Sequence, residues 1–240
     1  MKAFKSILYY LYFFITGIPL VVMALVIWVF SLPFDKRKFL LHWFTQVWGS
    51  FLFASVPSWR VTVLGKEKIQ NNQAKVFVSN HQSEFDIIVT SRLYAHFKWV
   101  SKAEVFKVPI IGWNMWMNQY IKLKRGDRKS IMQMIKDSCR ALENGSSVFI
   151  FPEGTRSKDG KVKKMASGAF VIAQREKVAI QPVAISGTKD IMHKGSWKLN
   201  FRADVKLDVL DEIPYEQHKD MDTNEISYLV RQKIVEALQS

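Results

Sequence analysis

Apolar and polar positions divide the chain into two regimes. From Ser6 to Phe34 no charged residue interrupts a run rich in Leu, Ile, Val, Phe and Tyr, with Lys2 and Lys5 before it and Asp35-Lys36-Arg37-Lys38 after it. A bilayer core takes about 20 apolar residues as a helix, so this run is long enough to span. Gly17 and Pro19 inside it predict a kink or a re-entrant bend. The run is too long for a signal peptide, and no small-x-small cleavage pattern follows it. A second uncharged segment, Phe39 to Val56, carries His42, Gln46 and Ser50 among the rings of Trp43, Trp48 and Phe51. It reads as an amphipathic interfacial helix or the second arm of a helical hairpin. Pro57-Ser58 is the expected junction, giving N-terminal membrane-anchoring helices over 1–57 and a larger domain over 58–240.

Beyond the junction the period alternates between that of strands and that of helices. Strands are predicted at Arg60–Leu64, Lys75–Val78, Trp99–Ser101, Tyr120–Leu123, Val148–Phe151, Val178–Ile185 and Val205–Leu210. Helices are predicted at Asp86–Ala95, Ser130–Asn144, Ala166–Gln174 and Thr223–Leu238. In the second of these, Ile131, Met134, Ile135, Ser138 or Cys139, and Leu142 share a stripe, and Asn144-Gly145 supplies the stop. Lys158-Asp159-Gly160-Lys161 reads as a turn. Alternation of this kind predicts an α/β domain: a central mixed, largely parallel sheet flanked by helices.

Composition sharpens the membrane reading. Of 240 residues 48% are hydrophobic and 13% aromatic, with eight tryptophans, and the net charge is +14. Such a charge calls for a polyanionic partner, and the apolar N-terminus favours an anionic membrane surface over nucleic acid. A single cysteine, Cys139, excludes an internal disulfide framework.

The candidate chemistry sits at two strand ends. Val78-Ser79-Asn80-His81-Gln82-Ser83-Glu84-Phe85-Asp86 closes one strand with a polar turn. A histidine there is a natural general base, and a carboxylate five positions on can hold its far ring nitrogen and balance the imidazolium. A blander reading has His81 ending the strand and Asp86 capping the next helix. No G-x-S-x-G elbow offers a protein nucleophile, so the dyad is read as activating a hydroxyl of the substrate. Phe149-Ile150-Phe151-Pro152-Glu153-Gly154-Thr155-Arg156-Ser157 is a second strand ending in a tight turn tipped by arginine.

Together Asn80-His81-x4-Asp86 and Phe151-Pro152-Glu153-Gly154-Thr155-Arg156-Ser157 resemble the glycerolipid acyltransferase family, and within it the 1-acyl-sn-glycerol-3-phosphate acyltransferases. Lys102-Ala103-Glu104-Val105 and the proline-bearing Val178–Ile185 strand are similar to two further family blocks. Arg125 matches the arginine of another, although Lys124 replaces its usual acidic residue and Asn118 or Gln119 stands where a glycine is usual. The resemblance implies acyl transfer from a thioester of acyl-carrier protein or coenzyme A to the sn-2 hydroxyl of lysophosphatidic acid. His81 and Asp86 are then the catalytic pair. Arg156, Arg125 and Lys102 are expected to meet the acceptor phosphate, with Gly154, Thr155, Glu153 and Asn80 completing the substrate site and Glu153 shaping it. Backbone N–H groups in the turns at His81 or Gly154 are expected to meet the oxyanion. The apolar residues after Lys102 either line an acyl groove or fill the core.

The changed residues before Arg125 leave room for another lysolipid, such as lysophosphatidylglycerol or a lyso-ornithine lipid. Water as acceptor would make the protein a thioesterase or lipase, and a non-catalytic membrane-binding module would use only the charge and the N-terminal helices. His42, His96, His193 and His218 lack a motif and read as surface or interfacial; no cysteine/histidine cluster has metal spacing, and neither cofactor nor metal is expected. The resemblance further implies a membrane protein with its catalytic domain on the cytoplasmic face, the inner membrane in a bacterium.

Overall fold

A computed structural model describes residues 1–70, 73–157 and 160–239 of the chain. Two long helices, α1 (Lys2–Ser31) and α2 (Phe39–Ala54), form an N-terminal hairpin. The strands are β1 (Trp59–Leu64), β2 (Val76–Ser79), β3 (Phe97–Lys102), β4 (Ile121–Leu123), β5 (Ser147–Ile150), β6 (Ile180–Ser186) and β7 (Ala203–Val209). Between and after them come α3 (Phe85–Thr90), α4 (Ile111–Met117), α5 (Arg128–Glu143), α6 (Gly168–Arg175), α7 (Thr188–Ile191), α8 (Tyr215–His218) and α9 (Thr223–Gln239).

The strands build one sheet in the order β1-β7-β6-β2-β5-β3-β4. Every neighbouring pair is parallel except β6 with β7. The central strands β2 and β5 are buried along their whole length, as strands covered on both faces must be. One face packs Phe77, Phe97, Trp99 and Phe149 toward the hairpin and α3. The other packs Val76, Val78, Val148 and Ile150 against α5, α6 and α9. The predicted Lys158–Lys161 turn lies partly outside the described residues, at Lys158 and Asp159.

No break or re-entrant bend occurs at Gly17 and Pro19: α1 runs on through Pro19 as one helix of 30 residues. Proline costs one backbone hydrogen bond, and a helix docked along its length compensates. Gly17 has a packing role instead. A Cβ there would stand 3.1 Å from the Ile110 side chain, so glycine lets α1 approach α4 closely. Docking extends over the whole helix. Near its start the Ser6 hydroxyl accepts from the Leu199 N–H at 2.8 Å, and the Tyr9 hydroxyl donates to the Leu52 carbonyl at 3.2 Å. Near its end the Trp28 ring lies 5.4 Å from that of Trp116. The opposite face of α1, from Phe4 through Phe30, is exposed and apolar, and Leu40, Trp43, Val47 and Phe51 of α2 continue it.

The histidines depart from expectation as well. His42 is buried, its ring nitrogens meeting the Tyr120 hydroxyl at 2.8 Å and the Ala95 carbonyl at 3.1 Å. His218 is also buried, with Nε2 3.1 Å from the Val178 carbonyl. Both hold core elements together.

Candidate active site

The carboxyl ends of the parallel strands β2, β3 and β5 meet at one edge of the sheet, where ligands of open α/β folds bind. The turn after β2 carries His81, whose Nδ1 lies 2.7 Å from Oδ2 of Asp86. Asp86 is fully buried in the first turn of α3. The same Oδ2 accepts the Gln82 N–H at 2.7 Å and the Ser83 N–H at 3.1 Å, and the Thr188 hydroxyl from α7 donates to Oδ1. The helix-cap reading therefore fails in its detail: the carboxylate turns back onto the loop before α3 and holds the histidine. The His81 ring stacks on Phe151 at 4.3 Å between centroids, which fixes its plane and leaves Nε2 as the nitrogen available to a substrate.

The turn after β5 is tied to the His81 turn by two backbone links. Oε1 of Glu153 accepts the His81 N–H at 2.9 Å, and the His81 carbonyl accepts the Ser157 N–H at 2.8 Å. Oε2 of Glu153 accepts the Lys163 N–H at 3.1 Å. Burial pushes the Glu153 carboxyl up, and these two N–H bonds pull against it. The Thr155–Arg156 stretch is braced by lysines: Lys163 Nζ and Lys194 Nζ each donate to the Arg156 carbonyl at 2.8 Å, and Lys194 also reaches the Thr155 hydroxyl at 3.1 Å. Gly154 takes φ +68°, the left-handed region that glycine enters without a Cβ penalty.

A cavity of 370 Å³ opens between these turns and brings together His81, Lys102, Arg125, Gly154, Thr155 and Arg156. The Arg156 guanidinium is bound to the Glu84 carboxylate across the mouth. Arg125 has its pKa lowered by burial first, Glu104 opposing and the like charge of Arg156 adding to it. Lys102 pairs loosely with Glu104 at 3.6 Å, both side chains half-exposed. Two guanidiniums that repel each other beside a histidine make a site that favours an anion.

One expected substrate contact is corrected. Asn80 is buried behind the turn, its amide giving Nδ2–H to the Ile185 carbonyl at 2.8 Å and taking the Ile185 N–H at 2.8 Å. Both ends are spent on pinning β2 to β6. Glu153 likewise spends its carboxylate on backbone N–H groups, as its site-shaping role requires, and touches no part of the cavity. Of the N–H groups in the turns at His81 and Gly154, those of His81, Gln82, Ser83 and Gly154 are engaged within the turns. Thr188 and Lys194 were invisible in the sequence, because each is brought to the site by the fold and neither belongs to a local pattern, while Glu84 stands within the His81–Asp86 turn with nothing in the pattern to mark it as the partner of Arg156.

Next to this cavity a second, apolar chamber of 270 Å³ reaches toward the hairpin, walled by Trp48, Leu52, Trp99, Val105, Ile111 and Met115. Glu84, Ile87, Trp99, Ser101 and Val105 border both spaces, so the two adjoin beside the dyad. Val105, Ile111 and Met115 thus line a groove, while Met115 also packs in the core.

The dyad thus faces a cavity lined by cationic side chains, with an apolar chamber beside it. The chain belongs to the acyltransferase family, whose family model matches residues 60–186. It is 39% identical over 180 residues to a chloroplastic 1-acyl-sn-glycerol-3-phosphate acyltransferase of Arabidopsis thaliana, a match covering 74% of this chain and 50% of that protein. A chloroplastic relative of the same description from Brassica napus is 36% identical, with 80% and 56% covered. The chain thus spans about half the length of these curated relatives. The crystal structure of the 1-acyl-sn-glycerophosphate acyltransferase from Thermotoga maritima superposes with a TM-score of 0.80 at 26% identity, covering 100% of this chain and 98% of that one.

Proposed function

We propose that the protein transfers a fatty acyl group from an acyl thioester, of acyl-carrier protein or coenzyme A, to the sn-2 hydroxyl of lysophosphatidic acid, giving phosphatidic acid. The observation that carries this reading is that His81 shares one cavity with Arg125 and Arg156 while an apolar chamber adjoins it. The acceptor phosphate binds the arginines, displacing Glu84 from Arg156. The acyl chain enters the chamber. His81 Nε2 takes the hydroxyl proton as the oxygen attacks the thioester carbonyl carbon. The tetrahedral oxyanion collapses, the carbon–sulfur bond breaks, and the thiolate leaves with the proton from the imidazolium. Asp86 balances the imidazolium throughout. With those four amides engaged, the cationic wall of the cavity meets the oxyanion.

The docked hairpin supports a place in one leaflet of the membrane. At 1.5 Å per residue α1 is about 45 Å long, enough to cross a bilayer. Yet contacts from Ser6 to Trp28 tie one face of it to the larger domain. A helix held that way lies with its exposed apolar face in lipid and keeps the cavities at headgroup depth.

The test is acyl transfer from a radiolabelled thioester into a panel of lysolipids, using membranes that contain the wild type. Product with lysophosphatidic acid alone is expected. Product with lysophosphatidylglycerol or another lysolipid keeps the mechanism and moves the acceptor; free fatty acid alone makes the protein a hydrolase. A second expectation concerns Thr188. Its hydroxyl holds the carboxylate oxygen that faces away from His81, and a hydrogen bond to a charged group is worth roughly 1.5–3 kcal/mol. Thr188→Val is expected to lower kcat about 10- to 100-fold with KM little changed, and Thr188→Ser to restore it. A fall in kcat with a rise in KM, unrescued by serine, would show a packing role only.

A further inference from the structure

A second cationic cleft lies apart from the dyad. It has a volume of 1140 Å³ and runs between the hairpin tip, α4, β4 and α5. Lys36, Arg37, Lys98, Lys122, Lys129 and Arg140 line it, and among the described residues that do so Asp137 is the one acid. Asp137 stands 3.9 Å from Arg140, a pair with both groups partly in solvent. Lys122 lies over the Phe106 ring at 5.0 Å, and Arg37 donates to the Gly145 carbonyl at 2.9 Å. At the back, buried Lys98 gives its ammonium hydrogens to the carbonyls of Arg37 and Asn118, each at 2.7 Å. Burial brings its pKa down to about 7, Lys38 and Arg37 adding to the effect and Asp35 opposing it. Lys98 precedes Lys102 by four residues on β3, about 13 Å along that strand, and Lys122 pairs with Ser101 of the acceptor cavity across β4, so the two spaces are neighbours that share no lining residue.

The rim of the cleft is apolar and continuous with the lipid-facing side of the hairpin. Trp116 lines the cleft, is 59% exposed and packs on Trp28 of α1. Phe34 and Phe39, on either side of Lys36 and Arg37 in the chain, are 70% and 47% exposed. Cations at the bottom with exposed rings at the edge match a molecule that carries a phosphate next to hydrocarbon.

We propose that this cleft binds the headgroup phosphate of an anionic phospholipid of the bilayer, at a site separate from the acceptor cavity. The lipid's tails lie along the exposed rings at the hairpin tip. The site holds whichever lysolipid the enzyme acylates, because it uses none of the residues that surround His81. A bound headgroup would also bridge Lys36 and Arg37 of the hairpin to Lys122 and Lys129 of the larger domain, locking the anchor to the sheet.

The test uses the full chain and a Lys36→Gln/Lys122→Gln/Lys129→Gln variant, with Lys177→Gln/Lys219→Gln/Lys233→Gln as a charge-matched variant away from the cleft. Native mass spectrometry from detergent with added phosphatidylglycerol is expected to show one retained lipid on the wild type and on the remote variant, and none on the cleft variant. Partitioning into vesicles containing phosphatidylglycerol is expected to weaken about 10²-fold for the cleft variant alone, three surface lysines contributing together. Partitioning into pure phosphatidylcholine vesicles and turnover in detergent micelles are expected to stay at wild-type levels. Equal losses in both variants would mean diffuse surface attraction and overturn the proposal. So would a cleft variant that keeps its lipid, one whose only defect is a raised KM for acyl-carrier protein, or inorganic phosphate displacing the lipid.

Discussion

Replacing His81 by alanine is expected to lower acyl transfer by about 10²–10⁴-fold, the usual contribution of a general base. The hydroxyl of a glycerol backbone is a weak nucleophile at neutral pH, and no other histidine among the described residues that line the cavity stands in for the lost imidazole. The fold is expected to survive. The links that join the two turns run through the His81 backbone, its N–H to Glu153 and its carbonyl from Ser157, and alanine keeps both. The hairpin, with its exposed apolar face, does not involve the ring. The measurement is the initial rate of radiolabel incorporation, with circular dichroism and membrane fractionation run beside it. Normal folding and membrane recovery with the rate gone would identify the base. A variant retaining most of the rate would remove His81 from the mechanism.

What the sequence revealed of this site follows from distance along the chain. His81 and Asp86 are five residues apart across one turn, so their pairing is a local matter and a short pattern captures it. Arg156 reaches the same cavity because β2 and β5 are neighbouring parallel strands; the alternation of strands and helices implied a largely parallel sheet but not that these two lie side by side. Glu84 was equally close in sequence, yet its bond to Arg156 depends on how two turns face each other, and no local pattern encodes that. Thr188 lies 102 residues beyond Asp86 and arrives through the β6–α7 corner. The error at Asn80 has the same origin: polar residues in a motif look like ligand contacts until the fold shows the backbone groups they satisfy. Short elements also escaped. α7 and α8 have four residues each, too few to show a period, and α4 was hidden among aromatic residues equally suited to a groove. Gly17 and Pro19 do not break α1 because helix-breaking propensity is local, whereas the docking that overrides it is tertiary.

Asp86→Asn is expected to reduce kcat by about 10³-fold and Asp86→Ala by more, and the difference between them isolates charge from orientation. An asparagine has one carbonyl oxygen and one amide nitrogen to place where Asp86 has two oxygens. Three N–H donors converge on Oδ2, from His81, Gln82 and Ser83, whereas Oδ1 faces the Thr188 hydroxyl, which can accept as well as donate. The carbonyl therefore takes the Oδ2 position and the amide nitrogen donates to Thr188. His81 keeps its proton on Nδ1 and its Nε2 toward the substrate, so the tautomer survives. What is lost is the negative charge facing the imidazolium. At an effective dielectric constant near 20 a unit charge about 4 Å away is worth roughly 4 kcal/mol, which corresponds to the 10³-fold loss. Alanine removes the charge and also frees the ring and two backbone N–H groups, so its loss is greater and its stability lower. Single-turnover rates for the two variants, with the histidine tautomer read by nitrogen NMR, check the argument. An Asp86→Asn enzyme as slow as Asp86→Ala, with its Nδ1 proton gone, would mean that orientation of the ring, and not the charge behind it, is what Asp86 supplies.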